Sequence, residues 1–210
     1  RLHVYYRHQV ATPLENKDIM DYLNKSSYIA NNIQDAVMQY VNYSDRGYLY
    51  YDLPLSDNNH NKTILYWEKA CNIYEKGNAE AKYINYLRKK TQLSLLEGDS
   101  EKAVHAAERG LEEIDISPYA YQQTFFKWWF YHALAEAYLL CYKNENAEAI
   151  EKSLERANFY SDLLTSNKRF YYLQLKSVYM YYLKRYDNAI ELNNEAIKLV
   201  ESSNYKLKKA

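Results

Sequence analysis

The chain has 210 residues, of which 48% are hydrophobic and 26% are charged, a composition typical of a globular protein rather than a disordered or fibrous one. Its 27 basic residues balance 27 acidic ones, so the basic excess of a nucleic-acid-binding protein is missing and we predict no direct contact with nucleic acid. Only 4 glycines and 3 prolines occur, which favours helices joined by short links over strands joined by tight turns.

Apolar residues recur at helical spacing along almost the whole chain, and no segment alternates with the period of two typical of a half-buried strand. We therefore predict an all-α protein. No run of about 18 apolar residues occurs, so no membrane span is predicted. In chain order, helices are predicted over about residues 1–11, 14–26, 28–51, 62–76, 79–97, 100–114, 119–142, 147–165, 168–184 and 187–200.

Residues that disfavour helices mark the predicted links. Pro13 breaks the chain after the first helix, and residues 44–47 could interrupt the third. The one clear loop is predicted over residues 52–61, which are rich in Asp and Asn. Gly77 is a good left-handed helix stop, and Ser100 could cap the helix that follows Gly98-Asp99.

Three tight turns share one form, because each is followed early in the next helix by an alanine and then by valine or isoleucine. The alanines are Ala103, Ala149 and Ala189, and their small size would let the second helix of a hairpin lie close against the first. A second small residue recurs later in two of these helices, as Gly110 and Ala196. Internal repeats of this kind predict stacked helical hairpins.

This pattern resembles the tetratricopeptide repeat. Leu134-Ala135 with Tyr138 is similar to the first helix of that repeat, and residues 187–191 with 195–197 are similar to the second. The resemblance covers roughly residues 62–202, with 1–61 as degenerate N-terminal helices. It implies a single right-handed α-solenoid over residues 1–210. The alanines lie 46 and then 40 residues apart, whereas the family period is 34, so we expect longer helices.

The resemblance also implies a ligand-binding groove on the concave face, formed by the first helix of each hairpin. We therefore predict a non-enzymatic scaffold that binds a protein or an extended peptide. The family's groove positions fall on aromatic, polar and oppositely charged residues. They are Arg88, Gln92, Trp129, His132, Glu136, Tyr171, Gln174, Val178 and Tyr181.

Within this set, Trp129, His132 and Tyr171 are predicted to share one ligand-contacting surface. Trp129, His132 and Glu136 are spaced by three and four residues, so they lie on one stripe of a helix. The alternative is that Trp129 is buried between repeats. In a groove, Trp129→Ala would abolish capture of the partner at little cost in stability. In the core it would cost about 3–5 kcal/mol.

The carboxylate clamp of the chaperone-binding members of this family is missing. Its sites fall on Arg88, Gln92, Ala133, Tyr171 and Leu175, and only the first of these is basic. This argues against a heat-shock co-chaperone.

Bacterial regulators with tetratricopeptide-like sensor regions have long hairpins rich in Tyr and Asn, and this chain, with 26 tyrosines, resembles them. It could therefore be the sensor or interaction module of a larger bacterial signalling protein. The alternative is a dimerisation or regulatory domain of a histidine kinase or transcriptional regulator, which would form a homodimer and have no peptide ligand.

Motifs for catalysis, metals and cofactors are missing from the sequence. None of the five histidines is paired with another ligand at a metal spacing, and no glycine-rich phosphate loop or nucleophile motif occurs. We predict no enzyme activity, no metal and no cofactor. A helical enzyme remains as an alternative if one pocket gathers His132, Glu136 and a tyrosine.

Two smaller groups of residues carry expectations of their own. Cys71 and Cys141 lie in apolar helical patterns and are predicted to be buried small side chains, with a disulfide as the alternative. Arg88, Lys89 and Lys90 form the one basic cluster within a helix. Successive helical residues point about 100° apart, so we expect at least two of these three side chains to face water, with contact to an acidic partner as the alternative.

The chain begins at Arg1 without a methionine and reaches Ala210 without a glycine or proline stop. We therefore expect it to be a piece of a longer protein. For that reason the sequence assigns no compartment.

Overall fold

The computed structural model describes residues 16–53, 56–76, 83–116, 120–164 and 166–202, and within these ranges all regular structure is helical, with no β-strand. The prediction of an all-α protein is confirmed for this part of the chain. The predicted first helix and Pro13 lie outside it. The helices are α1 (Asn16–Asn32), α2 (Ala36–Asp52), α3 (Asp57–Lys76), α4 (Tyr83–Glu97), α5 (Ser100–Ile116), α6 (Ala120–Leu140), α7 (Ala147–Asp162), α8 (Ser166–Tyr182) and α9 (Tyr186–Ser202).

The chain divides into two compact units, an N-terminal unit (Arg1–Glu97) and a C-terminal unit (Gly98–Ala210). In the N-terminal unit, α1 packs on α2, α2 on α3, and α3 on α4. In the C-terminal unit, each helix from α5 to α9 packs on the next, and α6 also contacts α8. This packing of chain neighbours is a helical repeat-like architecture. The single solenoid over residues 1–210 stays a prediction.

The boundary between the first two described helices differs from the predicted one. The sequence predicts a break near Tyr28, but α1 continues to Asn32 and the chain turns at Ile33–Asp35. Gln34 takes a left-handed φ of 55° in this turn, and the Asp35 carboxylate caps α2 by accepting a hydrogen bond from the Met38 backbone N–H at 2.9 Å. The cap, rather than a glycine or a proline, sets the boundary.

α2 also runs without a break through residues 44–47, because Gly47 serves packing rather than a turn. The indole ring of Trp67, on α3, lies directly against the Gly47 backbone, where a β-carbon would overlap it. Trp67 is fully buried, and its Nε1 donates a hydrogen bond to the Ser44 carbonyl oxygen at 3.2 Å. Glycine therefore permits the close approach of α2 and α3.

We expect Gly47→Ala to lower the free energy of unfolding by about 1–3 kcal/mol, the usual range for overpacking. This loss should exceed the gain of about 1 kcal/mol that alanine brings to a helix interior. Denaturant unfolding measures the difference. In a Trp67→Ala background no ring remains beside residue 47, so the same substitution should be neutral or stabilising. Equal destabilisation in both backgrounds would show that the indole contact is not the cause.

Side-chain caps at two other helix starts differ from what the sequence predicts. α3 begins at Asp57, within the predicted loop, because Ser56 Oγ accepts a hydrogen bond from the Asn59 backbone N–H at 3.2 Å. α5 is capped by Asp99 rather than by Ser100, since the Asp99 carboxylate accepts from the Lys102 N–H at 3.0 Å. The predicted stop at Gly77 lies outside the described residues.

Small residues allow close helix packing in the C-terminal unit, as the repeat pattern predicts. Ala103 and Ala189 are buried, whereas Ala149 is half-buried. Gly110 lies against the fully buried ring of Phe130, so α5 approaches α6 closely. One cluster of buried side chains joins α6, α7, α8 and α9: Ala135, Leu139, Ile150, Leu154, Tyr172, Leu173, Tyr179 and Ala196.

Both cysteines are free thiols, Cys71 buried and Cys141 half-buried. Burial raises the pKa of Cys71 from 9.0 to about 12. In the described ranges, no helix combines the length and apolar character needed to cross a membrane. In the same ranges, no three His, Cys, Asp or Glu side chains come close enough together to hold a metal ion.

Candidate functional site

The candidate site lies where α6 and α8 of the C-terminal unit contact each other. Residues three or four apart share one face of a helix, and Phe125, Trp128 and His132 form such a stripe on α6. Lys168 and Tyr171 form the corresponding stripe on α8. The α6–α8 contact brings these two stripes together.

Four rings form what we call the α6–α8 aromatic cluster: Phe125, Trp128, His132 and Tyr171. The Trp128 ring centroid lies 5.9 Å from Phe125, 5.7 Å from His132 and 5.9 Å from Tyr171. His132 meets Tyr171 edge to face, at 6.0 Å and 85°. These separations are within the range at which aromatic rings attract one another. Trp128 is only 4% exposed, whereas the other three rings are half-buried and reach the surface.

The ammonium group of Lys168 lies over three rings of this cluster. Its Nζ is 4.5 Å from the Trp128 ring centroid, 5.2 Å from Phe125 and 5.7 Å from Tyr171. All three distances are within the limit of about 6 Å for a cation–π interaction. Lys168 lies in the first turn of α8, where the helix dipole disfavours a positive charge. The rings therefore offset an unfavourable position.

Two buried polar atoms, one on α6 and one on α8, lack hydrogen bonds within the described part of the chain. They are the donor Nε1 of Trp128 and the acceptor Oε1 of Gln174, which follows Tyr171 by one helical turn. Such an atom usually costs about 1–3 kcal/mol.

The structure brings two of the three predicted ligand-contacting residues together. His132 and Tyr171 are in ring contact, and the ring that joins them is Trp128 rather than its neighbour Trp129. Trp129 is half-buried and meets Phe130 edge to face at 5.2 Å. The sequence prediction missed Trp128. Trp128 lies three residues after Phe125 and four before His132, so these three residues form a helical stripe as regular as that of Trp129, His132 and Glu136.

The remaining predicted residues of the C-terminal unit lie along the same two helices. Glu136 is half-buried, one turn after His132 on α6. Gln174 and Val178 are half-buried on α8, and Val178 packs against the buried cluster. Tyr181, at 63% exposure, meets Tyr186 edge to face at 5.5 Å near the start of α9.

The other two predicted site residues, Arg88 and Gln92, belong to the N-terminal unit and take part in a hydrogen-bond network there. Arg88 Nη2 donates to the Tyr48 hydroxyl at 3.1 Å, and that hydroxyl donates to Gln92 Oε1 at 3.2 Å. The same Gln92 oxygen accepts a hydrogen bond from Lys89 Nζ at 3.2 Å. Both residues thus bind groups of their own unit.

At least two of the three clustered cations were expected to face water; Lys90 has an exposed side chain, Arg88 is half-buried and Lys89 is buried. Lys89 is buried, at 1% exposure, and its Nζ lies 3.5 Å from the Tyr48 ring centroid and 4.1 Å from that of Trp67. Lys90 pairs with Glu75 at 3.1 Å, and Arg88 is half-buried in the network just described. Aromatic rings on α2 and α3 contact the Lys89 ammonium group. The sequence of α4 alone does not predict this contact.

Burial lowers the pKa of Lys89 well below its ordinary value of 10.5, and the positive charge of Arg88 lowers it further. Cys71 and Asp45 act in the opposite direction. The two aromatic rings also favour the ammonium form, but by about 2 kcal/mol, whereas removing an ammonium from water costs several kcal/mol. Desolvation therefore outweighs the attraction of the rings.

The enzyme alternative requires one pocket that gathers His132, Glu136 and a tyrosine such as Tyr171. In the structure, His132 packs against two rings of the aromatic cluster. The absence of enzyme activity stays a prediction.

In comparisons with protein-family models, curated proteins and solved structures, no match to this chain was found.

Proposed function

We propose that the chain is a non-enzymatic scaffold of stacked, tetratricopeptide-like hairpins that binds an extended peptide or protein segment. The proposed binding surface is the face of α6 and α8 that carries the aromatic cluster, together with Trp129, Glu136, Gln174, Val178 and Tyr181. One observation carries the proposal: three half-buried rings, Phe125, His132 and Tyr171, reach the surface together where α6 and α8 meet.

The energetic basis is that rings at an open surface are frequent hot spots in protein interfaces. A peptide side chain placed on His132 and Tyr171 would bury apolar area. Participation of Arg88 and Gln92 stays a prediction, because they lie in the other unit.

The test is to select peptides from a random library on the unmodified protein and to measure their affinity for two tyrosine variants. We expect Tyr171→Ala to weaken binding by about 2 kcal/mol, roughly 30-fold. Tyr160→Ala is the matched control, because Tyr160 is also half-buried and stacks on an α6 ring, Tyr131 at 5.9 Å, but belongs to α7. It should change affinity less than twofold.

Melting temperatures of both variants show whether they remain folded. Equal losses of affinity in the two variants, with both folded, would contradict the assignment of this face. So would a selection that enriches no peptide.

The dimerisation alternative has one observation in its favour, on the N-terminal unit. Three apolar side chains are exposed there: Ile29 on α1 (51%), Ile33 just after α1 (60%) and Val37 at the start of α2 (42%). Apolar residues grouped in this way are typical of interaction surfaces. Sedimentation equilibrium tests this candidate: a homodimer that Ile33→Lys dissociates would support it, and a monomer at all concentrations would exclude it.

A further inference from the structure

The Lys168 ammonium marks a place in the C-terminal unit where a positively charged group is held by three aromatic rings. Its Nζ lies within 5.7 Å of the ring centroids of Phe125, Trp128 and Tyr171. Lys176, in contrast, lies over the ring of Tyr172 at 5.5 Å. Rings arranged around one ammonium form the kind of aromatic cage that recognises quaternary ammonium groups and methylated lysines.

We propose that Phe125, Trp128 and Tyr171 form a receptor for a cationic side chain of the bound peptide, and that Lys168 occupies this receptor until the peptide displaces it. This inference rests on the proposed function, since the cage is part of the proposed binding surface. The ligand class is an organic cation with low hydration, and methylated lysine and arginine fit that chemistry best.

Exchange of one cation for another is energetically feasible for three reasons. The rings attract the incoming cation much as they attract Lys168, so little cation–π energy is lost. Released into water, the Lys168 side chain also regains rotational freedom that the cage restricts. A methylated ammonium holds water less strongly than the primary ammonium of Lys168, and its transfer to the rings is correspondingly easier.

Trp128 supplies a second recognition element at the same place. Its ring face contacts the cation, and its Nε1, in a side chain that is only 4% exposed, finds no acceptor among the described residues. Because this N–H is buried while Lys168 is in place, a backbone carbonyl of the peptide could accept its hydrogen bond only after Lys168 is displaced. The acidic residue nearest along α6 is Glu136, eight positions later and about 12 Å along the helix axis, within reach of the next peptide residues.

The test uses choline as the cation and 3,3-dimethyl-1-butanol as its neutral isostere. Binding is followed by the shift of the Trp128 indole N–H signal in NMR spectra, which is assigned by its loss in Trp128→Phe. We expect Lys168→Gln to tighten choline binding at least tenfold, because the internal competitor is removed. The matched control Lys176→Gln should leave the affinity unchanged.

Two further comparisons make the result decisive. In the Lys168→Gln background, Phe125→Leu should weaken choline binding at least tenfold, and the neutral isostere should bind at least tenfold more weakly than choline. If Lys168→Gln left choline affinity unchanged, or if the isostere bound equally well, the cage would be disproved while the peptide groove could still stand. Choline binding as expected without any selected peptide would instead support the cage and overturn the peptide groove.

Discussion

Lys89→Met is expected to raise the free energy of unfolding of the N-terminal unit by about 2 kcal/mol or more at pH 7. Replacing buried charged groups by apolar side chains of similar volume often stabilises a protein by about 1–4 kcal/mol. Methionine has nearly the shape of lysine and no charge to desolvate, and its sulfur packs well against rings such as those of Tyr48 and Trp67. The Gln92 oxygen keeps its hydrogen bond from Tyr48.

The same lysine predicts how the stability of the N-terminal unit depends on pH. Its pKa is lower in the folded than in the unfolded chain, so between the folded-state pKa and about pH 10.5 the unfolded chain binds more protons. The free energy of unfolding therefore rises with pH, by up to about 1.4 kcal/mol per unit. Above about pH 9 the raised pKa of Cys71 acts in the opposite direction, since only the unfolded chain loses that proton. The rise from Lys89 is therefore expected on the approach to pH 9 from below, before the Cys71 effect begins.

Both effects can be measured by denaturant unfolding of protein labelled with 5-fluorotryptophan, because Trp67 is the one tryptophan of residues 1–97 and its ¹⁹F signal reports on that unit. Lys89→Met should remove the rise with pH. The matched control is Lys90→Met, which deletes an exposed ion pair; it should change stability by less than about 1 kcal/mol and keep the rise. A less stable Lys89→Met, or no rise in the unmodified protein, would contradict the account of Lys89.

The second large effect is expected at Trp128. Trp128→Ala should cost about 3–5 kcal/mol in the C-terminal unit, because the indole is 4% exposed and contacts rings on two helices. Trp129→Ala should cost less, since Trp129 is half-buried. Unfolding followed by circular dichroism compares the two adjacent substitutions. A greater loss at Trp129 than at Trp128 would mean that the roles of these residues are reversed.

Two turns, one at Gly98 and one between α1 and α2, show what could and could not be predicted from the sequence. Gly98, with its φ of 75°, ends α4 where the sequence predicts the turn, because a left-handed helix end strongly favours glycine. The turn between α1 and α2 was misplaced because its left-handed residue is Gln34, which carries no such signal. The one sequence signal for this turn was the capping residue Asp35. Because aspartate is common elsewhere in the chain, it does not single out this position.

The differences between prediction and structure at individual side chains have another physical cause, which is contact with other helices. The burial of Lys89 depends on Tyr48 and Trp67, which lie 41 and 22 positions away on other helices. The choice between Trp128 and Trp129 is a rotation of about 100° around α6. Periodicity gives a stripe on a helix, but only the position of α8 determines which stripe meets Tyr171.

The central claim is that the α6–α8 face binds the ligand, and chemical-shift mapping with a selected peptide tests it most directly. At saturation, the largest shifts should fall on residues 125–136 of α6 and 168–178 of α8, and should include the Trp128 indole N–H. Shifts concentrated instead on the groove of α9 lined by Asp187, Ile190, Asn194 and Lys198, or confined to the N-terminal unit, would contradict the claim.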